Sequence, residues 1–172
     1  NYVIENYPEA SLINETKIWR AKANIRLDNE RFAIESLKYL LVIKDTLEAD
    51  LPDEIKERGY TALAMAYVQT DSLQKAKESL INATKTNKNS VQAARNLFIL
   101  GQMYASENKS DSATTVFKRI VNFRKAPDKF KIHAQIAIAK NFSKDSSSVA
   151  LQKTLLKLIK NRDNRPYLDA LY

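Results

Sequence analysis

No cysteine occurs anywhere in the 172 residues, so disulfides, a thiolate nucleophile and zinc–thiolate coordination are all excluded. That absence is compatible with an oxidising compartment without requiring one. Glycine is nearly missing too, at two residues, and proline contributes only four. Sheets, bulges and long loops lean on both types, whereas helices joined by tight turns do not, so the chain is expected to be all-α. With glycines only at 59 and 101, neither GxGxxG nor GxxxxGK[ST] can be written, which excludes nucleotide cradles of those kinds. No apolar run approaches the ~20 residues that span a bilayer. The opening NYVIENYPEA lacks a basic region followed by an apolar one and does not read as a secretory leader. The chain is expected to begin mid-architecture, with any export signal outside it.

Catalytic chemistry finds little to work with. The one histidine, His133, stands among Ile132, Ala134 and Ile136 on an expected helix. With no cysteine, second histidine or HExxH partner nearby, it reads as a structural residue rather than a ligand or base. Asp53 and Glu54 precede a helix, where negative charge favours the dipole, so they read as helix-start residues rather than an acid–base pair. No enzyme and no cofactor is expected.

What the chain does have is charge, unevenly placed. The net charge is +8, yet residues 1–86 carry 12 Lys/Arg against 14 Asp/Glu, and residues 87–172 carry 16 against 6. An asymmetry of this size suggests an acidic partner.

It also has a pattern that returns. In YTALAMAYVQTDSLQKAKESLINA, Tyr60, Leu63, Ala64 and Tyr67 line one helical face at i, i+3, i+4, i+7. After Asp71-Ser72 a second face follows in Ala76, Leu80 and Ala83. The polar pause turns the chain, with Asp71 or Ser72 expected to cap the second helix, and Ala64 and Ala76 allow the two helices to approach closely. Downstream, Leu97, Leu100, Gly101 and Tyr104 are followed by Ala113, Phe117 and Ile120. The small residues are twelve apart in both places, and the units are shifted by 37. Upstream, Ala21 and Ala33 keep the twelve-residue spacing, with Leu37 and Leu40 following, although Lys17 and Asn24 fall where large residues are expected. The linker KDTLEADLPD stretches that unit to 43 residues. Ile136, Ala137 and Ala139, then Ala150, Leu151, Leu155 and Leu158, suggest a fourth unit in a register uncertain by one residue.

These positions resemble the tetratricopeptide repeat (TPR), a helical hairpin of ~34 residues. The resemblance implies a right-handed α-solenoid of antiparallel helix pairs. A preceding helix would end over 1–8, repeats would occupy 11–46, 53–88, 91–126 and 128–161, and a further helix would start over 164–172. The chain is then a window from a longer array. In such an array the first helices line a concave groove, which here would present Lys22, Arg26, Arg58, Thr61, Met65, Gln69, Arg95, Phe98, Gln102, Lys131, Gln135 and Asn141. That groove is basic and amide-rich, with Met65 and Phe98 as apolar contacts, and an acidic extended segment or helix would suit it. Arg58 and Arg95 could equally be solvated surface cations. Resemblance to the TPR clamp for chaperone C-termini fails, because Ile18, Lys22, Met65 and Gln102 do not supply its Lys/Asn set. Nucleic acid is the lesser alternative: Lys118-Arg119 and Arg124-Lys125 could meet phosphates, but no recognised motif accompanies them.

Three longer phrases resemble the SprE/PorW family of periplasmic TPR lipoproteins in the Bacteroidota type IX secretion and gliding machinery. They are NYPEASLINETKIWRAKANIRLDNERFAIESLKYLL, LPDEIKERGYTALAMAYVQTDSLQKAKESL and LQKTLLKLIKNRDNRPYLDALY. The resemblance implies a non-enzymatic scaffold at the periplasmic side of the outer membrane, anchored by a lipidated cysteine outside this chain. Its partners would be secretion or motility components with acidic segments. A general peptide-binding or chaperone-like adaptor is the alternative. Asp45-Thr46-Leu47, Asp71-Ser72-Leu73 and Asp111-Ser112-Ala113 also resemble the O-glycosylation sequence of such bacteria, making Thr46, Ser72 and Ser112 candidate acceptors. Asp-Ser pairs at helix starts explain the same residues without modification.

Overall fold

The computed structural model describes residues 2–44, 51–142 and 148–168. Among these residues regular structure is helical throughout and no strand forms. The elements are α1 (Tyr2–Asn6), α2 (Ile13–Arg26), α3 (Glu30–Lys38), α4 (Asp53–Gln69), α5 (Leu73–Ala83), α6 (Ser90–Ser106), α7 (Ser110–Asn122), α8 (Asp128–Phe142) and α9 (Ser148–Lys160). A π-helical segment, Tyr39–Lys44, prolongs α3, and a 3-10 segment, Arg162–Tyr167, follows α9. No described helix is long and apolar enough to cross a membrane. The backbone divides into two compact units, Asn1–Asn89 and Ser90–Tyr172.

In the first unit α2 packs on α3, α3 on α4, α4 on α5, and α2 also touches α4 directly. The core between them is Ile18, Ala21, Ile25, Ala33, Leu37, Leu40, Leu41, Leu51, Ile55, Ala62, Leu63 and Ala66, with Tyr60 and Tyr67 partly buried against it. Gly59 lies in α4 at a tight contact: a Cβ there would stand 2.7 Å from Leu41 Cδ2.

In the second unit α6 packs on α7, α7 on α8, α8 on α9, and α6 also touches α8. Ala93, Ala94, Leu97, Leu100, Ala113, Val116, Phe117 and Ile120 are buried. Gly101 lets α6 and α7 close on the Phe117 ring, since a Cβ at 101 would stand 2.6, 2.8 and 2.9 Å from Cε1, Cζ and Cδ1. Ile132 and Ile136 of α8 form a second cluster with Leu155, Leu158, Ile159, Tyr167 and Leu168. Of the span where a further helix was expected to start, residues 164–167 belong to the 3-10 segment, and Tyr167 and Leu168 pack against α8. Residues 169–172 lie outside the described residues, as do 45–50 of the linker. The side chains of Ala150 and Leu151, read as part of a fourth unit, are likewise not described.

The turn inside a helix pair is built the same way three times. Asp28, Asp71 and Asn108 have φ of 58°, 52° and 57°, the only non-glycine residues among those described with positive φ. The next residue's N–H reaches back five positions: Asn29 to the Asn24 carbonyl (2.9 Å), Ser72 to Tyr67 (2.8 Å) and Lys109 to Tyr104 (3.0 Å). Asp71 N–H also donates to Val68 O, and Asn108 N–H to Ala105 O, both at 3.1 Å. This is the Schellman closure, in which a left-handed residue satisfies carbonyls that the helix end would otherwise leave open. Asp and Asn tolerate the left-handed region better than other side chains, which explains their choice where glycine is absent. The three closures are spaced by 43 and 37 residues. The buried small pairs Ala21/Ala33, Ala64/Ala76 and Gly101/Ala113 follow the same spacing.

The closures also settle what Asp71 and Ser72 do. Ser72 stands at the N-cap of α5 but makes no capping bond; its hydroxyl lies 3.4 Å from the Thr70 carbonyl. Asp71 ends α4 rather than starting α5.

Candidate functional site

Each unit presents part of the expected set on its own helices. On α2, residues 15, 19, 22 and 26 share one stripe, roughly 100° around the helix from the Ile18–Ala21–Ile25 core, by their spacing along the helix. Trp19 is 63% exposed, Lys22 is half-buried and Arg26 is exposed. The Lys22 ammonium lies 4.8 Å from the Trp19 ring centroid, a cation–π contact. Burial, and then the guanidiniums of Arg58 and Arg26, push the Lys22 pKa below its ordinary value.

Arg58 comes from the next helix but one. Its guanidinium is bound to Glu15 Oε1 at 3.2 Å and to Glu54 Oε1 at 2.8 Å. The first bond crosses from α4 to α2 and the second runs i, i+4 along α4. Arg58 thus reads as a clasp between the two helices as much as a ligand contact. Met65 (47% exposed) and Gln69 (exposed) continue its stripe along α4. Thr61 does not belong to that surface: it is buried, and its hydroxyl donates to the Glu57 carbonyl at 2.7 Å.

In the second unit Arg95 and Gln102 are exposed on α6. Phe98 is half-buried and engaged, with ring centroids 5.6 Å from Phe117, 6.2 Å from Phe130 and 6.3 Å from His133. It ties α6 to α7 and α8, and it gives His133 a packing partner. Lys131 donates to the Arg124 carbonyl at 3.2 Å and pairs with Asp128 at 3.6 Å, so it holds the turn before α8. Gln135 is half-buried. Asn141 is buried, and its Nδ2 has no hydrogen-bond partner among the described residues.

Of the candidate acceptor hydroxyls, Ser112 is exposed in α7 and Ser72 half-buried in the turn before α5, while Thr46 lies outside the described residues. Among the described residues no cluster of three or more His, Cys, Asp or Glu could hold a metal.

Sequence reasoning passed over two residues that the structure brings forward. Trp19 was visible only as the partner of Lys22 at i+3. Glu57 carried no signal at all, being a charged residue at a core position of α4. It is 1% exposed. Its Oε2 accepts from the Lys88 backbone N–H at 3.0 Å and the Thr86 hydroxyl at 3.3 Å, fastening the segment after α5 onto α4. Burial raises the Glu57 pKa, opposed by the hydrogen bonds from Lys88, Asn89 and Thr86 and assisted by Glu54. Its other oxygen, Oε1, has no hydrogen-bond partner among the described residues.

No protein-family model matches the chain, and no curated protein matches it significantly.

Proposed function

We propose that the chain is part of a TPR-type α-solenoid and works as a non-enzymatic scaffold that docks protein partners. The observation that carries this reading is the common register of closures and small pairs. Asp28, Asp71 and Asn108 recur with the same spacing as Ala21/Ala33, Ala64/Ala76 and Gly101/Ala113. A hairpin repeated in register, with each first helix touching the first helix of the next hairpin in the same unit (α2 on α4, α6 on α8), is the local geometry from which solenoids are stacked.

The particular scaffold we infer is one of the SprE/PorW type, serving the type IX secretion and gliding machinery from the periplasmic face of the outer membrane. The sequence phrases quoted above support it. Docking requires no turnover: a partner's acidic segment meets the cations and amides of the first helices, and affinity comes from buried contact and complementary charge.

Affinity capture from envelope extracts of a Bacteroidota bacterium that carries this machinery tests the reading. Retention of secretion or motility components through stringent washes is the expected result. Recovery of scattered peptides alone would point to a general peptide-binding adaptor, and recovery of nucleic acid that is lost steeply with salt would overturn the scaffold.

A further inference from the structure

Trp19 is the chain's single tryptophan, and it stands 63% exposed. A large aromatic left in solvent beside cations is the residue type that concentrates binding energy at protein interfaces. The charge around it is unbalanced. Glu15 and Glu54 both engage Arg58, while Lys22 sits over the indole at 4.8 Å and Arg26 is exposed one turn further along α2. Three cations (Lys22, Arg26 and Arg58) thus face two carboxylates, and Lys22 and Arg26 flank one aromatic on a helix whose adjacent side is fixed by Ile18, Ala21 and Ile25. The Glu15–Arg58 clasp holds that helix against α4, so the arrangement is organised before any partner arrives.

We propose that the Trp19–Lys22–Arg26 face of α2 is the docking point for an acidic peptide segment, with carboxylates on Lys22 and Arg26 and an apolar side chain against the open part of the indole. This rests on reading the chain as a partner-binding scaffold, and it moves the centre of recognition from Arg58 to α2. The mutual repulsion felt by Lys22 from Arg58 and Arg26, which with burial lowers its pKa, is relieved when an anion settles there. Met65 occupies on α4 the register of Lys22, 43 residues on, and offers a polarizable surface for a neighbouring apolar group.

Because Trp19 is alone, intrinsic fluorescence reads this surface directly. Iodide should quench it more efficiently than caesium, and Lys22→Gln/Arg26→Gln should bring the two closer together. A twelve-residue peptide of alternating Glu and Leu blocks should shift the emission to the blue, and the same peptide with Lys for Glu should not. The double variant should weaken the acidic peptide by about thirtyfold, with far-UV circular dichroism verifying that it is folded. If that variant folds poorly, Arg26→Gln alone should weaken binding by about fivefold.

Equal quenching by both ions overturns the proposal, as does equal binding of both peptides. So does a shift produced by a single-stranded oligonucleotide and not by the acidic peptide. The scaffold reading fails separately. If the double variant still captures secretion components, this surface is wrong and the scaffold stands. If the peptide binds as expected while no component is captured, the surface stands and the scaffold fails.

Discussion

Substituting Gly101 tests whether close approach, rather than chance, keeps a glycine in the middle of α6. On propensity alone Gly101→Ala should stabilise the helix by about 1 kcal/mol. Packing opposes it, since the new methyl would meet three atoms of the Phe117 ring at 2.6, 2.8 and 2.9 Å, all shorter than carbon–carbon contact allows. Phe117 is 1% exposed and already packs against Phe98, so the ring has nowhere to swing. Forcing a methylene-sized group into a filled core costs roughly 1–3 kcal/mol. The net expectation is a loss of about 0–2 kcal/mol in place of the gain that propensity alone would give, read from the urea midpoint at unchanged slope. Phe117→Leu should also destabilise alone, but the double variant should be more stable than additivity predicts by about 1 kcal/mol, because the leucine vacates the space that the methyl needs. Gly59→Ala supplies the contrast. Its closest contact is one terminal methyl of Leu41 at 2.7 Å, with the next atoms at 3.3 and 3.4 Å, so a rotamer change can accommodate it at less cost. A Gly101→Ala protein more stable than the parent by the full propensity gain of about 1 kcal/mol, or purely additive behaviour in the double variant, would refute the argument.

Replacing Asp28, Asp71 or Asn108 by glycine should raise stability by about 0.5–1 kcal/mol each, since glycine occupies the left-handed region without steric cost; chemical denaturation of the three single variants checks this. Glu57 should make stability pH-dependent in one direction. Its folded pKa lies above the ordinary carboxyl value, so the folded state binds the proton more tightly than the unfolded chain. Its contribution is fully present below the unfolded pKa, about 4.3, and is lost as pH rises through the raised folded value. Glu57→Gln should therefore flatten this part of the stability–pH curve measured in urea between weakly acidic and neutral pH, and a variant parallel to the parent throughout would exclude the effect. Arg58→Met should cost no more than about 1 kcal/mol, because the Glu15 and Glu54 bonds are partly exposed, and that cost should shrink with added salt.

The hairpin of α4 and α5 was legible because its large and small residues fall at helical spacing with nothing competing. α2 was less so. Lys17 and Asn24 stand where large residues were expected, and the structure fills the core instead with Ile18 and Ile25, one position later, while Arg20 lays its guanidinium 5.3 Å from the centroid of the Phe32 ring. A one-residue shift of this kind is decided by what the neighbouring helices offer, which α2 alone does not encode. The exposed stripe was readable from the same periodicity: Arg26, Met65 and Arg95 are exposed and Lys22 is half-buried. The partners of Arg58 and Phe98 were not. Glu15 lies 43 residues from Arg58, and Phe130 lies 32 from Phe98, so both contacts exist only once the hairpins stack. Glu57 was hidden for the opposite reason: composition places a glutamate outside, and only the distant Thr86–Asn89 backbone supplies the donors that let it go in.

The three closures at Asp28, Asp71 and Asn108 have a consequence for how the chain finds its structure. Each joins groups only five residues apart, and the pairs α2–α3, α4–α5 and α6–α7 form from neighbours in sequence. Short loops close quickly and at small entropic cost, so folding has three separate places to begin. A substitution that disables one closure should slow one route and leave the others open, giving a smaller loss of refolding rate than of stability.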